Sequence, residues 1–392
     1  MADVDVKEIS PVAGIRFPVA SRPYRRFANT QAVNNLAGAV QLQPIQLPAS
    51  GFVRKLGVYF SQTWTTNAGG AIVGGDAPWD LITFVTLTDA TGQPVFQTLT
   101  GYQWYLINKY LPSGTVKTNT PRAWSNPHMG PEYAYGVAGG TDGTAIFRLD
   151  LDFEQDVNTG YGCVPNLDSN ASLQLRIGIA ASAVAFAGGV PTAANMSVVV
   201  DQYYWAPVAG MLGGQPVNTQ PVGFGDFVET RAETGIATAA AINLLTVTNR
   251  GGLIRGMVMV SRAAGARVAF GAASNVDLIV DNIPQDEGIT LEAHQDMVRR
   301  AYGYVGGDIG AGAAAYAPIP ITSGLVTGLD DGVMVWPFFA LAGGRETWLN
   351  TRVGSQVQVR VTPGAAATQT EFITQLGQIR SPETFYASSA LD

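Results

Sequence analysis

A phrase that occurs twice is the feature that most constrains this chain. "GFVRKLGVYFS" runs from Gly51 to Ser61, and "GLIRGMVMVS" runs from Gly252 to Ser261, roughly two hundred residues later. Both begin at a Gly, have an Arg three residues later, and then continue as an apolar run. Under a period of two, Leu56, Val58 and Phe60 of the first copy share one face, and Met257 and Met259 of the second copy fall on the matching face. Such alternation predicts a β-strand opened by a glycine turn in each place. One strand written twice indicates that the chain contains two related units.

Two further pairs follow in the same order. "TLTGYQWYLINKY" (98–110) matches "TLEAHQDMVRRAY" (290–302), and "LQLRI" (173–177) matches "VQVRV" (357–361). The first pair has helical apolar spacing, with Thr98 and Thr290 as predicted N-caps, and the second pair alternates like a half-buried strand. Three pairs in one order predict a tandem duplication. The alternative is two unrelated β domains whose strands share the same binary pattern.

Each unit has many short apolar segments separated by Gly and Pro turns and one helix, which is typical of a β-sandwich of the jelly-roll type. We therefore predict an all-β fold of two tandem eight-stranded jelly rolls, each with a short helix and long loop insertions. The expected strands lie near 38–47, 51–63, 81–88, 94–98, 144–153, 171–181 and 196–204, then 238–247, 252–262, 266–270, 276–281, 332–341, 355–362 and 371–379. The expected insertions are 112–143 and 303–331.

The domain boundaries follow from composition. A charge-free segment with many Gly and Pro residues, 206–225, predicts a linker. The predicted organisation is an N-terminal arm at 1–29, jelly roll 1 at 30–205, the linker, jelly roll 2 at 226–380 and a C-terminal tail at 381–392. The arm is basic, and its arginines are Arg16, Arg22, Arg25 and Arg26.

Charge and cysteine content exclude several classes of function. Only 14% of the residues are charged, which favours a protein with large buried contacts, and a net charge of −7 without a basic body argues against sequence-specific nucleic-acid binding. The single cysteine, Cys163, allows no intramolecular disulfide, and we interpret it as a small filler residue. The acidic start "MADVDVKEIS" does not resemble a signal peptide, so we expect synthesis in the cytoplasm.

No catalytic, cofactor or metal constellation is evident. The only histidines, His128 and His294, are too few for a cupin-type metal site, and His294 is predicted to be a solvated helix residue. Asp150 and Asp152 share one face of a strand and could serve glycoside hydrolysis or bind calcium, but the solvated face of an alternating strand is the simpler interpretation. We therefore predict no enzyme and no cofactor.

The layout resembles the double jelly-roll major capsid proteins of tailless, membrane-containing icosahedral viruses, such as the tectivirus-like phages. The "GFVRKLGVYF" strand pair and the repeated helix support this resemblance, which is architectural and covers most of the chain. It implies a homotrimer with a pseudo-hexagonal outline that tiles a virion shell. It also implies contacts with neighbouring capsomers, minor capsid and vertex proteins, and an internal lipid membrane facing Arg16, Arg22, Arg25 and Arg26. Synthesis would take place in the host cytoplasm.

Two residues of the repeated phrase receive a structural role. Arg54 and Arg255 occupy matched positions, and we predict them to be equivalent rim residues on equivalent strands that make intersubunit or inter-sheet contacts.

A second function from another class remains open. A secreted two-domain β-sandwich that binds or acts on carbohydrate would use exposed aromatic residues such as Trp124 together with Asp150 and Asp152.

Overall fold

The structure of the protein is a computed structural model that carries side chains. It describes residues 16–65, 72–73, 76–89, 92–111, 132–134, 143–156, 159–169, 172–188, 192–221, 228–237, 241–248, 250–270, 275–302, 330, 332–340, 348–351, 356–362, 367 and 369–377.

Jelly roll 1 consists of two larger antiparallel sheets and a two-stranded sheet formed by β5 and β11. Its strands are β1 (Pro23–Val33), β2 (Val40–Gln41), β3 (Ile45–Gln46), β4 (Gly51–Thr65), β5 (Ile72–Val73), β6 (Ile82–Thr88), β7 (Glu132–Ala134), β8 (Gly143–Asp152), β9 (Val164–Asn166), β10 (Gln174–Ile179), β11 (Phe186–Gly188) and β12 (Thr192–Trp205). The larger sheet has the order β1-β12-β4-β8-β7, with β9 also paired to β4. In the smaller sheet β10 pairs with β2, β3 and β6. The predicted strand at 94–98 is present only as bridges from Leu99 to Val85 and from Pro94 to Thr88.

A short hairpin separates the two units. Its strands are β13 (Met211–Leu212) and β14 (Gln215–Pro216), and they lie inside the predicted linker.

Jelly roll 2 repeats the same topology. Its strands are β15 (Val228–Ile236), β16 (Asn243–Val247), β17 (Leu253–Ala263), β18 (Ala266–Arg267), β19 (Asn275–Val280), β20 (Ile283–Thr290), β21 (Val333–Trp336), β22 (Leu349–Asn350), β23 (Val357–Val361) and β24 (Gln369–Gly377). The larger sheet has the order β15-β24-β17-β18, with β21 and β22 also on β17, and the smaller sheet has the order β16-β23-β19-β20. The all-β, double jelly-roll prediction is therefore confirmed.

The duplication extends to an irregularity of the backbone. In β4 the pairing with β12 skips from Val53 to Lys55, and in β17 the pairing with β24 skips from Ile254 to Gly256. Arg54 and Arg255 are thus the extra residues of matching β-bulges. The two copies of the repeated phrase adopt the same local backbone arrangement.

The N-terminal boundary differs from the predicted one. Residues 23–33 form β1, which pairs along its length with β12 at the edge of the larger sheet. The predicted end of the arm at residue 29 therefore falls inside a strand of jelly roll 1. A short helix, α1 (Phe17–Ala20), precedes this strand.

Each jelly roll carries one longer helix, α2 (Gly101–Tyr110) in the first and α3 (Leu291–Tyr302) in the second. Thr290 caps α3 as predicted, because its hydroxyl accepts from the Ala293 amide. In α2 the cap is Thr100 rather than Thr98, and a reciprocal bond with Gln103 completes a capping box. His294 of α3 is buried and bonds to the carbonyl of Val335 at 3.0 Å, so the prediction of a solvated histidine is wrong.

The apolar core is continuous between the two units. On β17 Met257 and Met259 face the core of jelly roll 2, while Val258 and Val260 belong to the cluster that fills jelly roll 1. Every residue from Leu253 to Ser261 is buried. Both faces of this strand are therefore covered, one by its own smaller sheet and the other by jelly roll 1.

Candidate assembly interface

Helix α2 lies at the junction of the two jelly rolls. All ten of its residues except Gln103 are buried. A helix that is buried on every side needs partners on every side, and its polar side chains need hydrogen-bond partners there. One partner is its own jelly roll, where the Asn108 amide exchanges two hydrogen bonds with the backbone of Asp150, at 2.5 and 2.9 Å. The other partner is jelly roll 2. Two clusters of polar and charged side chains connect it to the helix and to the rest of jelly roll 1.

The first polar group centres on Asp330 of jelly roll 2, which is 1% exposed. Its carboxylate accepts from the hydroxyl of Tyr105 at 3.1 Å, from the hydroxyl of Tyr110 at 2.8 Å and from Nζ of Lys109 at 3.0 Å. Its own backbone N–H donates to Tyr110 at 2.7 Å. A buried carboxylate is tolerated when it is paired and fully hydrogen-bonded, so this cluster ties α2 to the start of β21.

The second polar group centres on Asp76 of jelly roll 1. Two arginines of jelly roll 2 reach its carboxylate, Arg262 at 2.7 Å and Arg267 at 3.1 Å. Arg262 also donates to Glu371 of β24 at 2.8 Å, and Glu371 in turn accepts from Gln103 of α2. Burial lowers the pKa of Arg262, but the carboxylates of Asp76 and Glu371 raise it by more, so its pKa is raised overall and it stays charged. These ion pairs and hydrogen bonds connect jelly roll 1 to β17, β18 and β24 of jelly roll 2.

Arg255 belongs to this junction and not to a rim. It is 2% exposed, and its Nη1 donates to the carbonyl of Leu111 at 3.0 Å and to Oε1 of Gln375 at 2.5 Å. Its guanidinium also lies 4.1 Å from the ring centre of Phe339. The predicted rim position is wrong for Arg255, because jelly roll 1 covers this bulge. A Cβ on the neighbouring Gly256 would meet the Leu111 side chain at 2.4 Å, which shows how closely the two units approach.

Arg54, at the matching bulge, makes contacts inside jelly roll 1. Its guanidinium pairs with Glu154 at 2.6 Å and lies 4.4 Å from the ring centre of Trp205. Glu154 also accepts from the Trp205 indole N–H at 2.5 Å and from the Cys163 thiol at 3.7 Å. Burial, followed by the charge of Glu154, raises the pKa of Cys163 well above its ordinary value, so the thiol is held protonated.

The four arginines of the predicted arm lie in different local settings. Arg16 precedes α1, and Arg22 lies between α1 and β1. Arg25 and Arg26 are consecutive residues of β1, so their side chains point to opposite faces of the sheet. Arg25 forms an ion pair with Asp201, and its guanidinium is 5.5 Å from the ring centre of Tyr203. All four are exposed.

The acidic pair of β8 occupies the outer face of the larger sheet, as the alternation predicts. Asp150 pairs with Arg148 at 2.5 Å and with Lys55 at 3.6 Å. Among the described residues no three His, Cys, Asp or Glu side chains are grouped so that they could hold a metal ion. Trp124 and His128 lie outside the described residues, as does most of both predicted insertions. Across the part of the chain that the structure describes, no helix is long and apolar enough to span a membrane.

Sequence reasoning missed the junction residues themselves. Asp76, Lys109 and Asp330 carry no motif, and Asp330 lies in a segment that we predicted as a loop insertion. The one available signal was the apolar character of α2 on all sides, which points to a helix between two partners.

The sequence and the fold of this chain were compared with those of known proteins. No protein-family model and no curated protein matches the sequence. Solved structures do match over nearly the whole chain. The major capsid protein of Sulfolobus turreted icosahedral virus is 13% identical, with a TM-score of 0.60, over 94% of this chain and 99% of that chain.

Two further solved structures agree with the first. PBCV-1 VP54 is 11% identical, with a TM-score of 0.54, over 92% of this chain and 98% of that chain. The major capsid protein P2 of bacteriophage PM2 is 11% identical, with a TM-score of 0.50, over 92% and 99%. Because the matches cover more than nine-tenths of this chain, they include both jelly rolls, and this chain has the fold of the double jelly-roll major capsid proteins.

Proposed function

We propose that this protein is a major capsid protein that trimerises into pseudo-hexagonal capsomers and tiles an icosahedral virion shell. The observation that carries the proposal is the match of both jelly rolls at once, over 94% of this chain, to the capsid protein of an icosahedral virus. The low content of charged residues, 14%, supports it because a shell protein covers much of its surface with neighbours.

The duplication supports the proposed trimer. Two jelly rolls with similar strand orders, packed side by side, would occupy two near-equivalent positions in such an assembly. Closed cyclic symmetry is the common outcome for homo-oligomers, and three copies of a two-part chain give a ring of six similar parts. A pseudo-hexagonal outline suits the tiling of a flat lattice facet.

The partners proposed with this function are neighbouring capsomers, minor capsid proteins and vertex proteins. An internal lipid membrane is the further proposed contact, supported by the exposed Arg16, Arg22 and Arg26, whose charges would attract anionic headgroups. Arg25 is a weaker candidate because it is committed to Asp201. The proposal includes no enzymatic activity, no cofactor and no sequence-specific nucleic-acid binding. The protein would reside in the virion after synthesis in the host cytoplasm.

The mass of the purified protein tests the proposal. We expect light scattering after size-exclusion chromatography to give about three times the 41.2 kDa of one chain. Negative-stain images should show particles with a six-sided outline. A protein that stays monomeric at millimolar concentration contradicts the proposal, and specific binding on a glycan array would favour the carbohydrate function instead.

A further inference from the structure

The outer face of the larger sheet in jelly roll 1 is open, whereas the equivalent face in jelly roll 2 is covered. We call the first the open sheet face. It is formed by side chains on three adjacent strands that are partly or largely exposed: Lys55, Tyr59 and Ser61 of β4, Val199 and Tyr203 of β12, and Arg25 and Phe27 of β1. Phe27 is 59% exposed, which is unusual for an aromatic side chain on a sheet.

The matching positions of β17 show what covers such a face. In the register of the repeated phrase, Lys55, Tyr59 and Ser61 correspond to Gly256, Val260 and Arg262. Gly256 lies against Leu111 at the end of α2, and Val260 belongs to the core cluster of jelly roll 1. Arg262 reaches Asp76 of jelly roll 1. Within one chain, jelly roll 1 therefore covers this face of jelly roll 2, whereas the corresponding face of jelly roll 1 is the open sheet face.

The element that covers β17 has a counterpart in jelly roll 2. Helix α2 corresponds to α3, and buried positions coincide in the repeat: Tyr102 with His294 and Leu106 with Val298. Tyr105, which contacts Asp330 across the junction, corresponds to Met297, which is 43% exposed. The side of α3 that carries Met297, Glu292 and Ala293 faces outward in the single chain.

The neighbouring segment repeats this relation. Gln97, just before α2, exchanges hydrogen bonds with Ala232 of β15 at 2.9 and 3.2 Å. Strand β20 precedes α3 in the same way, and β1 is the counterpart of β15 in the sheet order. The analogous contact would bring β20 against β1, where Phe27 is exposed.

The two surfaces share the composition of a protein contact. On the open sheet face, Lys55 and Arg25 lie beside the ring of Tyr203, at 4.8 and 5.5 Å from the ring centre, and pair with Asp150 and Asp201 of the same sheet. Helix α3 carries Glu292 and Asp296, one turn apart, next to the exposed Met297, and the sequence of its last turn contains Arg299 and Arg300. An apolar centre with a polar, charged rim is the usual composition of a specific protein contact.

We propose that the open sheet face binds α3 of a second copy of this chain. The contact is head-to-tail: jelly roll 2 of one copy covers jelly roll 1 of the next, as jelly roll 1 covers jelly roll 2 within the chain. A head-to-tail contact between identical chains produces either a closed ring or an open filament. In a closed ring every open sheet face is covered. The inference rests on the proposed capsomer function and specifies which surfaces form it.

Site-specific cross-linking tests this contact. The photoreactive residue p-benzoylphenylalanine replaces Met297, and a control replaces Leu244, which is also exposed but lies on the smaller sheet of jelly roll 2. Unlabelled and 15N-labelled chains are mixed after reversible dissociation, so that mass spectrometry identifies cross-links between copies. We expect the probe at position 297 to link to peptides of β1, β4 or β12 of another copy, and the probe at position 244 to give none of these.

A disrupting variant supplies the second measurement. Met297→Asp should weaken self-association at least tenfold because it buries a charge at the centre of the contact, whereas Leu244→Asp should leave it unchanged. A stable trimer with cross-links from position 297 to other strands, or with none, overturns the contact and leaves the capsomer proposal intact. A wild-type protein without any self-association overturns both.

Discussion

At the scale of single residues, the two arginines of the repeated phrase show how the same local sequence acquires two roles. Both occupy the extra position of a β-bulge, a backbone device that turns one side chain out of the regular alternation. Arg54 meets Glu154 of its own unit, whereas Arg255 meets the Leu111 carbonyl at the end of α2. The bulge is set locally, but the partner depends on which unit lies beside it.

Asp80 gives a prediction on pH. Burial, followed by the nearby charge of Asp76, raises its pKa to about 7, and its Oδ1 is buried without a hydrogen-bond partner among the described residues. The folded state therefore holds a proton that the unfolded state has lost. Stability should fall as the pH rises from about 4 to about 7, by a few kcal/mol at most, and stay at the lower level above pH 7.

Replacing Asp80 by Asn removes this titration. Asp80→Asn should raise the urea midpoint at pH 8, where the wild-type carboxylate is charged, and should have little effect at pH 4.5. Tryptophan fluorescence in urea at several pH values measures both. Equal midpoint differences at the two pH values would show that Asp80 does not titrate in this range.

At the scale of elements, the strands with a clear apolar alternation were predictable. β4, β8 and β12 each place one apolar face in a core, whereas β17 and β24 are buried on both faces, and in all five strands the core positions are visible in the sequence. The duplication was visible for the same reason, because both copies of a central strand must satisfy similar cores. The helices were predicted to within a few residues, since apolar spacing and capping residues are local signals.

The elements that were missed lack that signal. β1 is an edge strand whose residues are nearly all exposed or half-buried, so "PYRRFANTQAV" shows no apolar face, and its arginines were assigned to an arm. β15 and β20 were missed too. In β15 the one buried side chain among the described positions is the polar Thr230, and β20 lies mostly exposed at the edge of its sheet. For such strands the pairing with a neighbour decides the structure, and this pairing is not a local property of sequence.

Gly101 gives a prediction about how α2 is placed. A Cβ at this position would come within 2.4 Å of the Trp79 carbonyl and 2.5 Å of the Ile82 side chain. Alanine favours a helix over glycine by about 0.5–1 kcal/mol, but here the clash outweighs that gain. Gly101→Ala should therefore lower the free energy of unfolding, by about 1–3 kcal/mol.

The matched control for this variant is in the other helix. Ala293 occupies the corresponding position of α3 and is exposed. Ala293→Gly should cost no more than the helix preference, about 0.5–1 kcal/mol. Urea unfolding curves compare the two, and a stabilised Gly101→Ala variant would contradict the close packing of α2 on residues 79–82.

At the scale of the whole molecule, the two jelly rolls share a core and two charge clusters, a buried one around Asp330 and a partly buried one around Asp76. β17 is covered on both sides, and α2 is buried by partners from both units. Separating the units would expose these apolar faces and break the bonds from Tyr105, Lys109 and Tyr110 to Asp330. We therefore expect the protein to unfold in one cooperative transition, although its topology is that of two domains.

Asp330→Asn tests this coupling. The substitution keeps the shape of the side chain but removes the charge that compensates buried Lys109, so the junction should lose about 3–5 kcal/mol. The single calorimetric transition should then broaden or split, because each jelly roll still has its own sheets.

Asp277→Asn is the control, since Asp277 is equally buried but pairs with Arg360 inside jelly roll 2. It should lower the transition temperature without splitting the transition. If Asp330→Asn behaves like the control, the cluster around Asp330 contributes stability but does not couple the two jelly rolls, and the shared apolar face of β17 must hold them together instead.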